Sequence, residues 1–155
     1  MHTSRPTSTP APAPAPVDDP AVRATLVVGL LGTALVHVID GIGKWSEVRY
    51  EFWLFMALVV GCVALAGGFL FTRSRLLLPA TLGLIVPAFI AYVLSRTTGL
   101  PQSTDDIGNW TEPIGVVNVF VELAVLAVAA PALALGRSRS RSNARAAVLA
   151  TAPAR

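Results

Sequence analysis

Polar side chains recur at helical spacing inside two strongly apolar stretches of the sequence. In the first stretch Thr33, His37 and Asp40 lie four and three residues apart, so one face of a helix carries all three. In the stretch IGVVNVFVELAVLAVAAPALAL, Asn118 and Glu122 are one helical turn apart. Imidazole and carboxyl groups can exchange protons, and their nitrogen and oxygen atoms can ligate metal ions. The pattern therefore predicts a proton or metal-cation site formed by His37, Asp40 and Glu122.

A carboxylate in an apolar stretch needs a polar environment, and this requirement predicts where Glu122 points. An ionised acid near the centre of a bilayer costs about 2.5–3.5 kcal/mol. Glu122 is therefore expected to face the inside of a helical bundle, toward His37, Arg96 or water, or to remain protonated. By helical rise, His37, Asn118 and Glu122 fall in the same half of the bilayer. The polar groups expected to support the site are Thr33, Tyr92, Arg96 and Asn118.

Three further acids lie in the segment RTTGLPQSTDDIGNWTEP, which precedes the fourth apolar stretch. Asp105, Asp106 and Glu112 could collect a divalent cation at the mouth of the polar cluster, although their spacing matches no EF-hand loop. Because these carboxylates are expected to be solvated and screened, their effect on the site should be electrostatic. Replacing any one of them by Asn or Gln should leave the protein folded. These acids leave the cofactor undetermined, with a divalent metal ion as one candidate.

The residues leave three functions open. The first is binding or conduction of a proton or a metal cation at the cluster. The second is a non-catalytic accessory subunit of a larger membrane complex, in which the cluster only links helices by hydrogen bonds. The third is a quinone- or lipid-binding component of a membrane oxidoreductase. The sequence contains no P-loop, HExxH, CxxC or GxSxG motif, so no standard soluble-enzyme site is indicated.

The elements that must position these residues are apolar helices. The chain has 155 residues, of which 54% are hydrophobic and 14% charged, and its apolar residues are concentrated in blocks. About 20 helical residues cross a hydrocarbon core of about 30 Å, and a soluble helix would show a polar face that these blocks lack. The sequence therefore predicts an all-α, four-helix transmembrane bundle over residues 23–136, with spans at Ala24–Ile42, Phe52–Phe71, Leu76–Leu94 and Ile114–Leu135.

The distribution of basic residues predicts the orientation of this bundle. If both termini are cytoplasmic, nine of the 12 basic residues lie on the cytoplasmic side, including Arg73 and Arg75 in the turn between the second and third spans. Short cytoplasmic loops are enriched in Lys and Arg. We therefore expect a multi-pass protein of a bacterial plasma membrane with both termini inside and the polar cluster open to the outside.

The two ends of the chain differ in composition from the bundle. Residues 1–22 contain a Pro-Ala alternation at residues 10–16, which predicts a disordered cytoplasmic tail, and residues 137–155 predict a second, basic disordered tail. A basic tail beside a membrane is expected to contact anionic lipid rather than nucleic acid. A membrane-protein partner or a second copy of the chain remains open.

One resemblance rests on particular motifs. The segments VHVIDGIGKWSEVRYEFWLF and LSRTTGLPQSTDDIGNWTEPIGVVNVFVE resemble small four-helix membrane proteins common in actinobacteria. The shared features are a His near the end of the first helix (His37), an SRTxGLP motif, a WxEPxG motif and an acid in the fourth helix (Glu122). The resemblance covers residues 24–135. It implies the four-helix fold and the polar site, and it implies no activity.

Overall fold

The computed structural model describes residues 16–151, and these residues form no β-strand. A short 3-10 turn, Pro16–Asp18, is followed by four α-helices: α1 (Pro20–Glu47), α2 (Arg49–Phe71), α3 (Leu77–Thr97) and α4 (Pro113–Thr151). Each helix is long and apolar enough to cross a membrane. The predicted all-helical class and the four apolar helices are therefore confirmed.

The four helices pack as an antiparallel bundle in which α1 and α3 each contact both α2 and α4. We call the end that carries residues 98–112 the loop end, and the end that carries residues 72–76 the turn end. Successive buried residues of α4 are three or four apart, which keeps them on the face toward the other helices. The buried face of α4 consists of Gly115, Asn118, Glu122, Val125, Ala129 and Ala132.

Local contacts fix both ends of the first helical hairpin. A carboxylate oxygen of Asp19 accepts hydrogen bonds from the backbone N–H groups of Ala21 and Val22, which caps the start of α1. At the turn end the Arg23 guanidinium donates to the carbonyl of Phe69 and, at 2.8 Å, to that of Thr72. Because the last carbonyls of a helix have no intrahelical partner, this arginine satisfies the end of α2.

The connection between α1 and α2 differs from the predicted loop. The sequence suggests a polar loop between Ile42 and Phe52, but only Val48 is non-helical, with φ −137° and ψ 92°. Its backbone N–H donates to the carbonyl of Lys44 at 3.0 Å. Lys and Glu residues are good helix formers, and Lys44 pairs with Glu47 and, across Val48, with Glu51, so the helices can continue through these charged residues.

The predicted tails also differ from the described structure. Residues 16–22 include the 3-10 turn and the start of α1, and residues 1–15 lie outside the described part of the chain. At the other end, α4 continues through Thr151 rather than ending at the predicted boundary of 136. Residues 137–151 contain neither Gly nor Pro and are rich in Ala and Arg, which have high helix propensity.

Small residues set the approach of neighbouring helices. A Cβ atom on Gly29 would lie 2.5 Å from Cγ2 of Val125, so α1 and α4 are too close there for any side chain. A Cβ atom on Gly61 would lie 2.9 Å from Cδ2 of Leu84, which marks the close contact of α2 with α3. Beyond Gly61, toward the loop end, the space between α2 and α3 contains a cavity.

Candidate functional site

A cavity of about 450 Å³ lies at the loop end of the bundle. The apolar walls come from α2 and α3, and α1, α4 and the loop 98–112 contribute polar groups. Its size falls within the range of small-molecule sites, which is about 300–1,000 Å³. Six of the predicted site residues line this one cavity: His37, Asp40, Tyr92, Arg96, Asp106 and Asn118.

His37 presents one ring nitrogen to the cavity. The side chain is 6% exposed, and Nδ1 lies 2.9 Å from the backbone carbonyl oxygen of Thr33. Because a carbonyl can only accept, Nδ1 carries the hydrogen and Nε2 of the neutral ring is an acceptor. The edge of the ring packs against Phe55, with centroids 5.0 Å apart. No other described residue hydrogen-bonds to Nε2, which leaves it available to a ligand.

Asn118 and Glu122 form the polar floor beneath the cavity. Asn118 lines the cavity, and its Nδ2 donates to Oε1 of Glu122 at 3.2 Å. Glu122 is completely buried one turn further from the loop end. Within the described chain, three buried oxygens at this level have no hydrogen-bond partner: Oγ1 of Thr33, Oδ1 of Asn118 and Oε2 of Glu122. The expected inward orientation of Glu122 is what the structure shows.

Arg96 does not reach Glu122, although the sequence allowed that pairing. Its guanidinium is 5% exposed, forms an ion pair with Asp106 at 2.7 Å between Nη1 and Oδ1, and pairs through Nη2 with Glu112. Its Cζ atom lies 5.0 Å from the ring centroid of Tyr92. Arg96 therefore joins α3 to the loop and to the start of α4 instead of neutralising the buried acid.

Lys44 extends this ion-pair network to the first two helices. Its ammonium nitrogen lies 3.2 Å from Glu47, 3.7 Å from Glu51 and 3.8 Å from Asp106. Asp106 thus contacts both cations and joins α1 to α3. Glu51, only 4% exposed, is a member of the site that the sequence reading did not single out. The sequence feature that could have identified Glu51 is its negative charge, which follows the positive charge of Lys44 across the short α1–α2 connection.

The loop 98–112 is folded back over the cavity by turn residues. Gly99 and Gly108 adopt positive φ values of 78° and 80°, which glycine does without steric cost. The backbone N–H of Gly108 donates to the carbonyl of Arg96 at 2.9 Å, and the hydroxyl of Tyr50 donates to that of Pro101 at 2.7 Å. These contacts place Asp106 against the two cations.

The three loop acids therefore have different environments. Asp105 is exposed and does not line the cavity, in agreement with the expectation of a solvated carboxylate. Asp106 and Glu112 have side chains only 28% and 32% exposed, and both are engaged by Arg96. The loop lies closer to the bundle than a freely solvated acidic loop would.

Metal ligation finds no geometric support in the described residues. Between residues 16 and 151, no group of three or more His, Cys, Asp or Glu side chains comes together in a way that could hold a metal ion. His37 and Asp40 line the cavity, but Glu122 lies beneath it and bonds to Asn118. The three predicted ligands are therefore not gathered into one three-ligand group.

Comparison with known proteins adds no assignment to this geometry. The resemblance to actinobacterial four-helix proteins stays a prediction. No protein-family model, curated protein or solved structure matches the chain.

Proposed function

We propose that the protein spans a bacterial plasma membrane four times, with both termini in the cytoplasm and the loop end outside. The four apolar helices and the placement of Arg73 and Arg75 at the turn end support this orientation. A reporter fused after residue 155 is expected to read cytoplasmic, and one inserted at residues 102–105 is expected to read external. The reverse pattern would contradict the orientation.

We propose further that the bundle binds a proton at Glu122, in a site reached from outside through the cavity. One observation carries this proposal: the carboxyl group is completely buried, hydrogen-bonds only to Asn118, and has no Lys or Arg within ion-pair distance in the described chain. The effective cost of burying an unpaired ion is several kcal/mol. A bound proton removes that charge and lets the carboxyl group donate a hydrogen bond.

The packing at the turn end supports binding rather than conduction. Beyond Glu122 the centre of the bundle is filled by buried apolar side chains: Leu26, Leu30, Phe69, Ile85, Val125 and Ala129. Thr81 is the one buried polar residue described in that half, and its hydroxyl already donates to the carbonyl of Leu77 at 2.9 Å. A proton entering from the loop end therefore meets an apolar barrier below Glu122.

Replacement of Glu122 by Gln tests the proton site. Gln fills nearly the same volume and can hydrogen-bond to Asn118, but it cannot bind or release a proton. Infrared difference spectra of the purified protein at two pH values are expected to show a carboxylic-acid carbonyl band that is absent from Glu122→Gln. Glu47→Gln is the matched control, because the Glu47 side chain is 62% exposed and its loss is expected to leave the band unchanged.

Two outcomes separate this proposal from a purely structural role. If the cluster only links helices, Glu122→Gln will be spectroscopically silent and His37→Ala will lower thermal stability in detergent. If Glu122 binds the proton, the band disappears while the variant keeps the helicity and the elution volume of the wild type. An identical carbonyl band in wild type and Glu122→Gln would overturn the proposal.

A further inference from the structure

We propose that the cavity binds a monovalent organic cation, a protonated amine on an apolar body, with the carboxylate of Asp40 as its counter-ion. This inference extends the function proposed above, because the ligand occupies the cavity over Glu122. The inference depends on the proposed function in one respect, which is the side of the membrane from which the ligand arrives. The binding itself depends on Asp40 and on the shape of the cavity, so it can be tested apart from the proton on Glu122.

The charges around the cavity do not balance. Its lining contains three acids, Asp40, Glu51 and Asp106, and two bases, Lys44 and Arg96. Both bases are paired with acids other than Asp40. Among residues 16–151, no hydrogen bond or ion pair links Asp40 to another side chain. A half-buried carboxylate is therefore left over, and one positive charge on a ligand would neutralise it.

The free polar atoms at the cavity are acceptors that suit an N–H donor. Asn118 lies at the floor of the cavity and is 8% exposed; its Nδ2 is bonded to Glu122, and its buried Oδ1 is an acceptor without a partner among the described residues. Nε2 of neutral His37 is a second acceptor, since Nδ1 already donates to the carbonyl of Thr33. A protonated amine has several N–H donors and can satisfy such acceptors together with Asp40.

The remaining walls require an apolar body on the same molecule. They are formed by side chains of two helices: Leu54, Phe55 and Leu58 from α2, and Leu84, Ala88 and Ala91 from α3. Removing apolar surface from water is favourable in proportion to its area, and a small hydrated ion has no apolar surface to contribute. An anion would meet the excess of acids, so an amphipathic cation is the chemical class that fits both parts of the cavity.

Equilibrium dialysis can test this with two probes of similar shape. The full-length protein in nanodiscs of phosphatidylcholine is dialysed at neutral pH against 2-phenylethylamine, which is protonated, and against 2-phenylethanol, which keeps a donor but lacks the charge. Empty nanodiscs correct for partitioning into lipid. We expect the wild type to bind the amine about tenfold more tightly than the alcohol, because a partly screened ion pair can readily supply a factor of that size.

Variants of Asp40 identify the counter-ion. Asp40→Asn is expected to weaken amine binding about tenfold and to leave alcohol binding within about twofold, whereas Asp40→Glu keeps the preference for the amine. Asp105→Asn is the matched control, because Asp105 is exposed at the same end and does not line the cavity. It is expected to change neither affinity by more than about twofold.

Several outcomes would overturn the inference. These are equal affinity of the wild type for the two probes, no binding of the amine, or unchanged amine affinity in a folded Asp40→Asn variant. If Asp40→Asn does not fold, the ratio of amine to alcohol affinity in the wild type decides alone. Glu122→Gln is expected to keep amine binding. An unchanged carbonyl band in that variant would therefore overturn the proton site and leave the amine site intact.

Discussion

Replacement of Arg96 by Met is expected to destabilise the loop end strongly. Met keeps an apolar stem of similar length but removes the charge that pairs with Asp106 and Glu112. Removing one partner of a buried ion pair costs about 3–5 kcal/mol, because the other charge is left unpaired. The two acids are 28% and 32% exposed, so water screens part of that penalty. We therefore expect a loss of about 2–3 kcal/mol in the free energy of unfolding.

The measurement is reversible unfolding in mixed micelles, followed by helical circular dichroism as the denaturing detergent is increased. Arg73→Met is the matched control, because the Arg73 side chain is 78% exposed and lies 4.0 Å from Asp18. Such exposed pairs contribute about 0–1 kcal/mol. If Arg96→Met costs no more than Arg73→Met, the ion-pair network does not hold the loop end together and the reasoning is wrong.

Two further substitutions test the loop and the helix packing. Tyr50→Phe removes the hydrogen bond to the carbonyl of Pro101 and is expected to cost about 0.5–1.5 kcal/mol, with faster hydrogen exchange in residues 98–112. An unchanged exchange rate would show that the loop is held without this bond. Gly61→Ile forces α2 and α3 apart and is expected to cost about 1–3 kcal/mol, whereas Gly67→Ala, where a Cβ atom meets nothing within 4 Å, is expected to be neutral or slightly stabilising. Equal stability of these two variants in thermal unfolding would contradict the close contact at Gly61.

The helices and the shared face of the site could be predicted from the sequence because both depend on local periodicity. Long apolar blocks require helices that satisfy their own backbone hydrogen bonds, whatever their neighbours are. Spacings of three and four place His37 with Asp40, and Asn118 with Glu122, on single helix faces. Since a carboxyl group avoids lipid, its inward orientation followed as well, and Glu122 is indeed buried.

The partners across the bundle could not be predicted in this way. Arg96 was one of the partners that the sequence allowed for Glu122, but the loop folds back and pairs Arg96 with Asp106 and Glu112 instead. That fold depends on the turns at Gly99 and Gly108 and on a hydrogen bond from Tyr50, which lies far away in the sequence. The cavity likewise results from the relative placement of α2 and α3, which no single helix encodes.

The single-residue joint at Val48 limits how the chain can change in length. One inserted residue would turn α2 by about 100° relative to α1 if the helix continued through it, because an α-helix has 3.6 residues per turn. Phe55, Leu58 and Cys62 would then leave the interior, and the wall of the cavity would be lost with them. The exposed turn at residues 72–76 has no such constraint. Insertions and deletions should therefore be tolerated at that turn and rejected at the joint.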